Sequence, residues 1–598
     1  MKEHILSKLW RRLPMNAITA GVFLAFASNS AAHAATDCKV SDFGTLPVDM
    51  TDEQATTIVK VNGENTRFIL DTGAFFNSMS KANADALQLR REAAPFGLRG
   101  SGIGGDFSLQ VARIKEFGIL GTSLRDIEFL VGGSDIGMPL IGANLLDFAD
   151  LDIDLARGKL RMMKAQGRDC DRASMAYWAK NGDYEVVELR RLDDPNDRRS
   201  FVTVFINGKP VKALLDTGAY ATLLTRKAAN SAGIDLDSPG VESSYITYGL
   251  GRKGYKTWTA PVDTFTVGTE TIQHSKMQVF DGTISDDHTE MLLGVDFFLA
   301  HHLFIANSQH KVYFTYNGGR VFTLAKPPRQ SASPQTSPGD DKDTPKNADD
   351  LARRGQAHLS RGESAAALAD LDEAIPLAPN VAANYLVRAR VHLILDQSDA
   401  ALADLDKSLK LDPTNVEALL LRAQQRLTRA DLTGAKGDIE VARHLVTAAS
   451  EQARAIAKLY IAADQPLEAL PLLDDWIRAH GNDASLGSAL NERCWARGLA
   501  NQMLDRALDD CNTAIKRDGP NAAYLDSLGL IELRLKNYAA AISAYEQALA
   551  KSPRVAWSRY GLGLAKIRSG QVDDGNADLA AAKTLEPKIE ERFARFNL

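Results

Sequence analysis

The stretch FILDTGAFFNS, residues 68–78, decides the fold, because a close copy of it, ALLDTGAYATL, returns at residues 213–223. Each copy ends an apolar run with an acid, a threonine and a glycine, Asp71-Thr72-Gly73 in the first and Asp216-Thr217-Gly218 in the second. Each run also follows a segment that ends in Asn-Gly, which between apolar runs is typical of a β-hairpin. One carboxylate at the end of a buried strand is usually a turn residue, whereas two in matching surroundings predict a paired role.

Two paired carboxyl groups have a well-defined chemistry. At a separation of about 3 Å they cannot both ionise, so they share one proton. The ionised member can take a proton from a water molecule while the protonated member donates a hydrogen bond to a peptide carbonyl. Glycine allows each loop to turn tightly, and each threonine hydroxyl can donate to the facing loop. The sequence therefore predicts a catalytic pair, Asp71 and Asp216, supported by Thr72, Gly73, Thr217 and Gly218.

The two acid loops and a second signature downstream of each carry a family resemblance. The downstream segments are PLIGANLL, with Ile141-Gly142, and MLLGVDFF, with Leu293-Gly294. With these motifs the chain resembles the retropepsin-like aspartic proteases, with two lobes fused in one chain, over residues 55–165 and 200–316. In that family the second signature packs beneath the acid loop. The resemblance implies an all-β pseudo-dimer that hydrolyses peptide bonds in a peptide or protein substrate, without a cofactor or a metal.

A glycine-rich segment lies between the two signatures of each half, where the family has a flap. These segments are RGSGIGGD at residues 99–106 and YGLGRKG at residues 248–254. The resemblance implies that the flap residues are Gly102, Ile103, Gly104, Tyr248, Gly249 and Gly251. The second segment also fits G-x-G-x-x-G, but a nucleotide-binding loop needs a helix next, and TWTAPVDTFTV follows instead. A hairpin that closes over bound peptide is the better interpretation.

Fusion of the two lobes in one chain determines how we expect them to pair. A tethered partner has an effective concentration near the millimolar range, so we expect the lobes to pair within one chain, as a monomer. Two alternatives stay open on the sequence alone. One is a protease active only as a homodimer of the same lobe, and the other is a scaffold that holds peptide without cleaving it.

The first residues are typical of an export signal. A basic opening precedes the apolar run at residues 17–28, and Ala32-His33-Ala34 follows. This pattern predicts a signal peptide over residues 1–34 that is cleaved after Ala34. The run is short for a membrane span, although an uncleaved anchor is the alternative. We therefore expect a protein exported to a bacterial periplasm, or secreted.

The last part of the chain changes to helical periodicity with a 34-residue repeat. Residues 326–347 are rich in proline, serine and charge, which predicts a flexible linker. Small residues then recur at one position of the repeat, at Gly355, Ala389, Ala423, Ala457, Gly529 and Gly563. The pattern resembles tetratricopeptide (TPR) arrays and predicts an all-α solenoid of about seven units over residues 348–598, whose groove binds a protein partner.

Composition and cysteines complete the prediction. The formal net charge is −6 with no basic stripe, so nucleic acid is not an expected partner. Four cysteines favour two disulfides by position, with four free thiols as the alternative, and the pairs are Cys38–Cys170 and Cys494–Cys511. The predicted divisions are residues 1–34 (signal peptide), 35–171 (first lobe), 172–325 (connecting segment and second lobe), 326–347 (linker) and 348–598 (array).

Overall fold

The structure is a computed structural model that describes most of the chain. The described residues are 38–51, 53–95, 98–103, 105–167, 169–179, 182–190, 197–247, 254–284, 289–318, 321–322, 347–481 and 483–598. The predicted signal peptide, and all of the predicted linker except Asn347, lie outside them. Among the described residues, no helix combines the length and the apolar character that crossing a bilayer requires.

The first half of the region that resembles aspartic proteases is a β-rich lobe. Its strands, with those of the connecting segment, are β1 (Lys39–Pro47), β2 (Asp49–Thr51), β3 (Gln54–Val61), β4 (Glu64–Leu70), β5 (Ser78–Met79), β6 (Arg91–Ala93), β7 (Gly100–Gly102), β8 (Gly105–Phe107), β9 (Gln110–Ile119), β10 (Thr122–Val131), β11 (Leu140–Ile141), β12 (Asp150–Asp154), β13 (Lys159–Gln166) and β14 (Glu185–Glu188). Two short helices interrupt them, α1 (Lys81–Ala86) and α2 (Ala143–Leu146). Eight strands form one sheet in the order β2-β3-β4-β11-β5-β10-β9-β6.

The second half repeats this plan. Its strands are β15 (Phe201–Ile206), β16 (Lys209–Leu215), β17 (Leu223–Thr225), β18 (Glu242–Thr247), β19 (Tyr255–Val267), β20 (Glu270–Phe280), β21 (Met291–Leu293), β22 (His301–Ala306) and β23 (Lys311–Tyr316), with helices α3 (Arg226–Ser231) and α4 (Val295–Ala300). Seven strands form its sheet, ordered β15-β16-β21-β17-β20-β19-β18. Both predicted Asn-Gly turns join hairpins, and their residues have the positive φ that such a turn needs, namely Asn62, Gly63, Asn207 and Gly208.

A shared six-stranded sheet joins the two lobes, in the order β1-β13-β12-β22-β23-β14. Strand β12 of the first lobe pairs antiparallel with β22 of the second, with Ile153 opposite Leu303. Across this junction His302 is within hydrogen-bond distance of Asp152, and the Trp178 ring stacks on His302 with centroids 3.9 Å apart. The lobes therefore share backbone hydrogen bonds within one chain.

Residues 347–598 form the helical array. Its helices are α5 (Ala348–Ser360), α6 (Ser364–Leu377), α7 (Ala382–Ile394), α8 (Ser398–Leu411), α9 (Val416–Thr428), α10 (Leu432–Leu445), α11 (Glu451–Ala462), α12 (Pro466–Ala479), α13 (Leu486–Ala500), α14 (Leu504–Asp518), α15 (Ala522–Arg534), α16 (Tyr538–Lys551), α17 (Ala556–Arg568), α18 (Val572–Leu585) and α19 (Ile589–Arg595). The helices from α5 to α18 follow one another as consecutive pairs, and α19 packs against α17 and α18. The fold is thus multidomain, with a β-rich protease-like region followed by a TPR-like array.

A charged pair recurs through the array and ties each hairpin together. An arginine on the first helix of a pair donates two hydrogen bonds to a buried aspartate on the second, as Arg388 does to Asp404 at 2.8 and 2.7 Å. The same pairing is made by Arg354 with Asp370, Arg422 with Asp438 and Arg493 with Asp510. Bidentate arginine–carboxylate pairs fix geometry as well as charge, so this ladder sets how the helices of a pair cross.

The array packs on the protease region at two places. Near its start, the Gln356 side chain accepts from the Met50 N–H at 3.1 Å. At the connection between α12 and α13, Asp483 accepts from the Asp135 N–H at 2.7 Å, and His480 lies 3.3 Å from the Asp135 carboxylate. Asp135 belongs to the loop between β10 and β11, so the array contacts the segment that leads to β11, the strand that pairs with β4.

Two disulfides are present, and no described cysteine is free. Cys38–Cys170 spans 132 residues and closes the first lobe, and Cys494–Cys511 spans 17 residues and joins α13 to α14. In the chain-entropy description, closing a loop of either length restricts the unfolded chain, more so for the longer loop.

We predict that the two disulfides stabilise different parts of the molecule by different amounts. The double variant Cys38→Ser/Cys170→Ser should lose about 5 kcal/mol from the unfolding of the protease lobes, and Cys494→Ser/Cys511→Ser about 3 kcal/mol from that of the array. Calorimetry that resolves the two transitions measures both effects. A shift of the array transition by the first variant would contradict the assignment.

Candidate active site

Two reciprocal hydrogen bonds hold the acid loops together. The Thr72 hydroxyl donates to the Leu215 carbonyl at 2.7 Å, and the Thr217 hydroxyl donates to the Leu70 carbonyl at 2.6 Å. Each hydroxyl also accepts from the other threonine's backbone N–H at 3.1 Å. Both threonines are buried. The structure therefore brings together the two loops that lie 145 residues apart in sequence, and the exchange fixes their separation and their register.

Asp71 and Asp216 face one another at this junction. Asp71 Oδ1 accepts from the N–H groups of Gly73 and Ala74, at 3.0 and 2.7 Å. Asp216 Oδ1 accepts from Gly218 and Ala219, at 2.9 and 3.1 Å. These donors hold both carboxyl groups with one edge toward the loop backbone and the other edge toward the partner acid.

The surroundings raise the pKa of both acids, but through different contacts. Burial, and then the nearby Asp216 charge, raise the pKa of Asp71 well above its ordinary value. Burial also raises the pKa of Asp216, but the hydrogen bond from Asp71, the loop N–H groups and the Arg199 charge oppose this rise. The arrangement is that of two coupled acids that share one proton.

The loop glycines are required by how closely the acids approach. A Cβ atom on Gly73 would lie 2.3 Å from Asp216 Cγ, and one on Gly218 would lie 2.3 Å from Asp71 Cγ. Any side chain at either position would therefore displace the opposing carboxyl group. The glycines are needed for space, beyond the tight turn that the sequence suggests.

The second signature lies directly beneath each acid loop. Strand β11 runs parallel to β4, and the Asp71 N–H donates to the Ile141 carbonyl at 2.9 Å. In the second lobe β21 runs parallel to β16, and the Asp216 N–H donates to Leu293 at 2.9 Å. Both glycines pack against loop backbone, because a Cβ on Gly142 would lie 2.6 Å from the Phe76 carbonyl carbon and one on Gly294 2.3 Å from that of Ala221.

Each acid loop has a further polar support that sequence reasoning missed. In the first lobe the Asn144 side chain accepts from the Asn77 N–H at 2.8 Å. In the second lobe Asp296 takes the equivalent place and accepts from the Thr222 N–H and hydroxyl at 2.8 and 2.6 Å. Alignment of the two halves on their signatures would have revealed these positions, since Asn144 and Asp296 each lie two residues after the signature glycine.

The predicted flap residues are only partly described. Strands β7 and β8 pair antiparallel, with Gly102 opposite Gly105, so the first glycine-rich segment is a hairpin. Ile103 at its tip packs against a buried cluster of the second lobe that includes Phe201, Leu223 and Phe280. Gly104, and the second-flap residues Tyr248, Gly249 and Gly251, lie outside the described residues. Strands β18 and β19, on either side of that second segment, pair antiparallel.

With this geometry established, comparison with known proteins defines the class. A family model described as aspartyl protease matches the chain twice, at residues 57–145 and 202–297. A model described as tetratricopeptide repeat matches residues 382–415 and 522–553. The chain therefore carries two tandem retropepsin-like aspartyl protease segments followed by TPR repeats. No curated protein matches it in sequence.

The solved structures that resemble the chain include TPR proteins. YrrB, a TPR protein, is 20% identical over 31% of this chain and 95% of its own, with a TM-score of 0.27. A tetratricopeptide repeat protein from Parabacteroides merdae is 16% identical over 42% and 99%, with a TM-score of 0.34. Yeast Tom70 is 20% identical over 42% and 52%, with a TM-score of 0.26. These likenesses do not bear on function.

Asp296 generates a prediction about pH. Burial raises the pKa of its carboxyl to about 6, against the hydrogen bonds from Thr222. Because this pKa is higher than that of an unfolded aspartate, folding favours the protonated form, and this contribution to stability is lost as pH rises through about 6. We predict that the parent loses about 2 kcal/mol more stability than Asp296→Asn, which places an asparagine here as at Asn144, when pH rises from about 4 to about 7.5.

Melting of the protease lobes at both pH values measures this difference. Asp237→Asn, at an exposed position of the same lobe, is the control and should leave the pH dependence unchanged. Equal pH dependence of the parent and Asp296→Asn would contradict the prediction.

Proposed function

We propose that this protein is an aspartic endopeptidase that hydrolyses peptide bonds through a water molecule activated by Asp71 and Asp216. The observation that carries the proposal is the facing of the two carboxyl groups across the threonine exchange, in surroundings that favour one shared proton. The alternative that each acid is a separate turn residue does not explain why a Cβ on either loop glycine would collide with the opposing carboxyl group.

The proposed reaction divides the work between the acids. Asp216, as the carboxylate, takes a proton from a water molecule between the two acids, and the resulting oxygen nucleophile attacks the peptide carbonyl carbon. Asp71, as the acid, donates a hydrogen bond to the carbonyl oxygen as negative charge develops there. Asp216, which now carries the proton from the water, transfers it to the amide nitrogen, and the C–N bond breaks to release the amine. The first flap hairpin, which reaches the second lobe at Ile103, covers the cleft and limits competing water.

The array and the export signal complete the proposal. The TPR units would dock a substrate protein, or an adaptor that brings one, close to the cleft, because the array contacts the loop that leads to β11, the strand paired with the end of β4 just before Asp71. Residues 1–34 would direct the chain to a bacterial periplasm or out of the cell, where disulfides are stable.

Both acids should be necessary for cleavage. We predict that the mature chain cleaves denatured protein, and that Asp71→Asn and Asp216→Asn each lower kcat/KM by on the order of 10³-fold or more, because a neutral amide cannot share the catalytic proton. The assay follows fragments of an unfolded protein at mildly acidic and at neutral pH, and gel filtration should give the mass of one chain.

The matched control is Asp263→Asn, an exposed aspartate of the second lobe, which should retain parental activity. Activity surviving in one of the two acid variants would favour a homodimer of the same lobe. A parent that binds unfolded protein but never cleaves it would favour the scaffold.

A further inference from the structure

Arg199 stands opposite Asp216 in the second lobe. Strands β15 and β16 pair antiparallel with Phe201 opposite Leu214, and the Leu215 N–H continues the ladder by donating to the Ser200 carbonyl at 2.9 Å. One step further along this register brings Arg199 level with Asp216. The backbone therefore sets an arginine beside one acid of the pair.

The Arg199 side chain is held in place by contacts from both lobes. Its guanidinium forms an ion pair with Asp197, with Nη2 to Oδ2 at 2.7 Å and Nε to Oδ1 at 2.9 Å, and both side chains are only 11% exposed. It lies over the Phe201 ring at 5.2 Å and over the Phe75 ring of the first acid loop at 5.9 Å. Its position is thus tied to the junction between the lobes.

In the first lobe the equivalent register position holds an uncharged residue. Strands β3 and β4 pair with Thr56 opposite Ile69, so the residue level with Asp71 in the same register is Gln54. Glutamine and arginine therefore occupy equivalent places in the two halves, next to the two acids. The two acids, which share one proton, therefore have different neighbours in the fused chain.

We propose that Arg199 is a positioning residue that fixes the shared proton on Asp71 and keeps Asp216 as the carboxylate. This inference rests on the proposed function and assigns the roles within it. A fixed positive charge stabilises the ionised form of the nearer acid. Asp197 compensates part of that charge. The loop N–H groups act on both acids alike, whereas the arginine lies level with Asp216 in the register of one half only.

The effect of the Arg199 charge has a definite sign, which a pH profile can detect. Ionisation of the first carboxyl of the pair is easier beside a cation, so loss of the cation moves that ionisation to higher pH. We predict that Arg199→Gln, which copies the first lobe, shifts the acid limb of the kcat/KM profile upward by about half to one pH unit. Arg199→Lys, which keeps a charge, should restore most of the parental profile.

Two further variants separate charge from structure. Arg190→Gln removes an exposed arginine of the same connecting segment and should leave the profile unchanged. The exchanged pair Gln54→Arg/Arg199→Gln places the cation beside Asp71 instead, and its acid limb should return toward that of the parent, because either acid can then ionise first. A profile of Arg199→Gln superimposed on the parental one overturns the proposal.

A second measurement does not depend on cleavage. A double-mutant cycle of Arg199→Gln and Asp216→Asn, read from melting of the protease lobes, isolates the interaction of these two side chains from that of Arg199 with Asp197. Coupling should be present above the first ionisation of the pair and vanish as pH falls through it. Absence of coupling at every pH overturns the proposal. Coupling in a parent that never cleaves would instead reject the proposed function and support the charge assignment.

Discussion

The exchange of hydrogen bonds between Thr72 and Thr217 is the constraint on which the site depends. Each hydroxyl donates to a carbonyl of the opposite lobe and accepts from the opposite threonine, so neither loop is satisfied without the other. Burying a hydroxyl group without a partner costs free energy, so each lobe is stabilised by pairing with the other. The same exchange brings the carboxyl groups so close that no side chain fits at Gly73 or Gly218. Lobe pairing, acid pairing and the need for glycine thus have one physical origin.

The parts of the fold that the sequence predicts are those that repeat or that are local. The Asn-Gly turns, the acid loops and the segments beneath them occur twice, and each is set by contacts within one lobe or by a strict need for glycine. The 34-residue period likewise predicts pairs of helices that bury their faces against neighbouring pairs. The two family models match within the regions that carry these repeated features. The duplication predicts that Asp71 and Asp216 face one another, because a single acid loop would need no second one.

Other features could not be predicted, because they join residues that have no motif and lie far apart. The contact of His480 and Asp483 with Asp135 crosses about 345 residues. The junction of His302 with Asp152 crosses 150 residues and depends on the shared sheet, which neither lobe's pattern reveals. The Arg388–Asp404 ladder is different, because its 16-residue spacing recurs in the sequence and was available to inspection. To interpret this spacing as a set of ion pairs, one must still know that the two helices of each pair lie side by side.

Fusion of two lobes in one chain has a consequence beyond a high effective concentration. Two identical lobes related by a twofold axis must present the same neighbours to both acids, so neither acid can be distinguished before substrate binds. Here the halves differ beneath the loops, where Asn144 corresponds to Asp296, and beside the acids, where Gln54 corresponds to Arg199. Each difference changes the charge on one side only. A single chain can therefore give its two acids different pKa values and different roles while keeping the symmetric threonine exchange that holds them together.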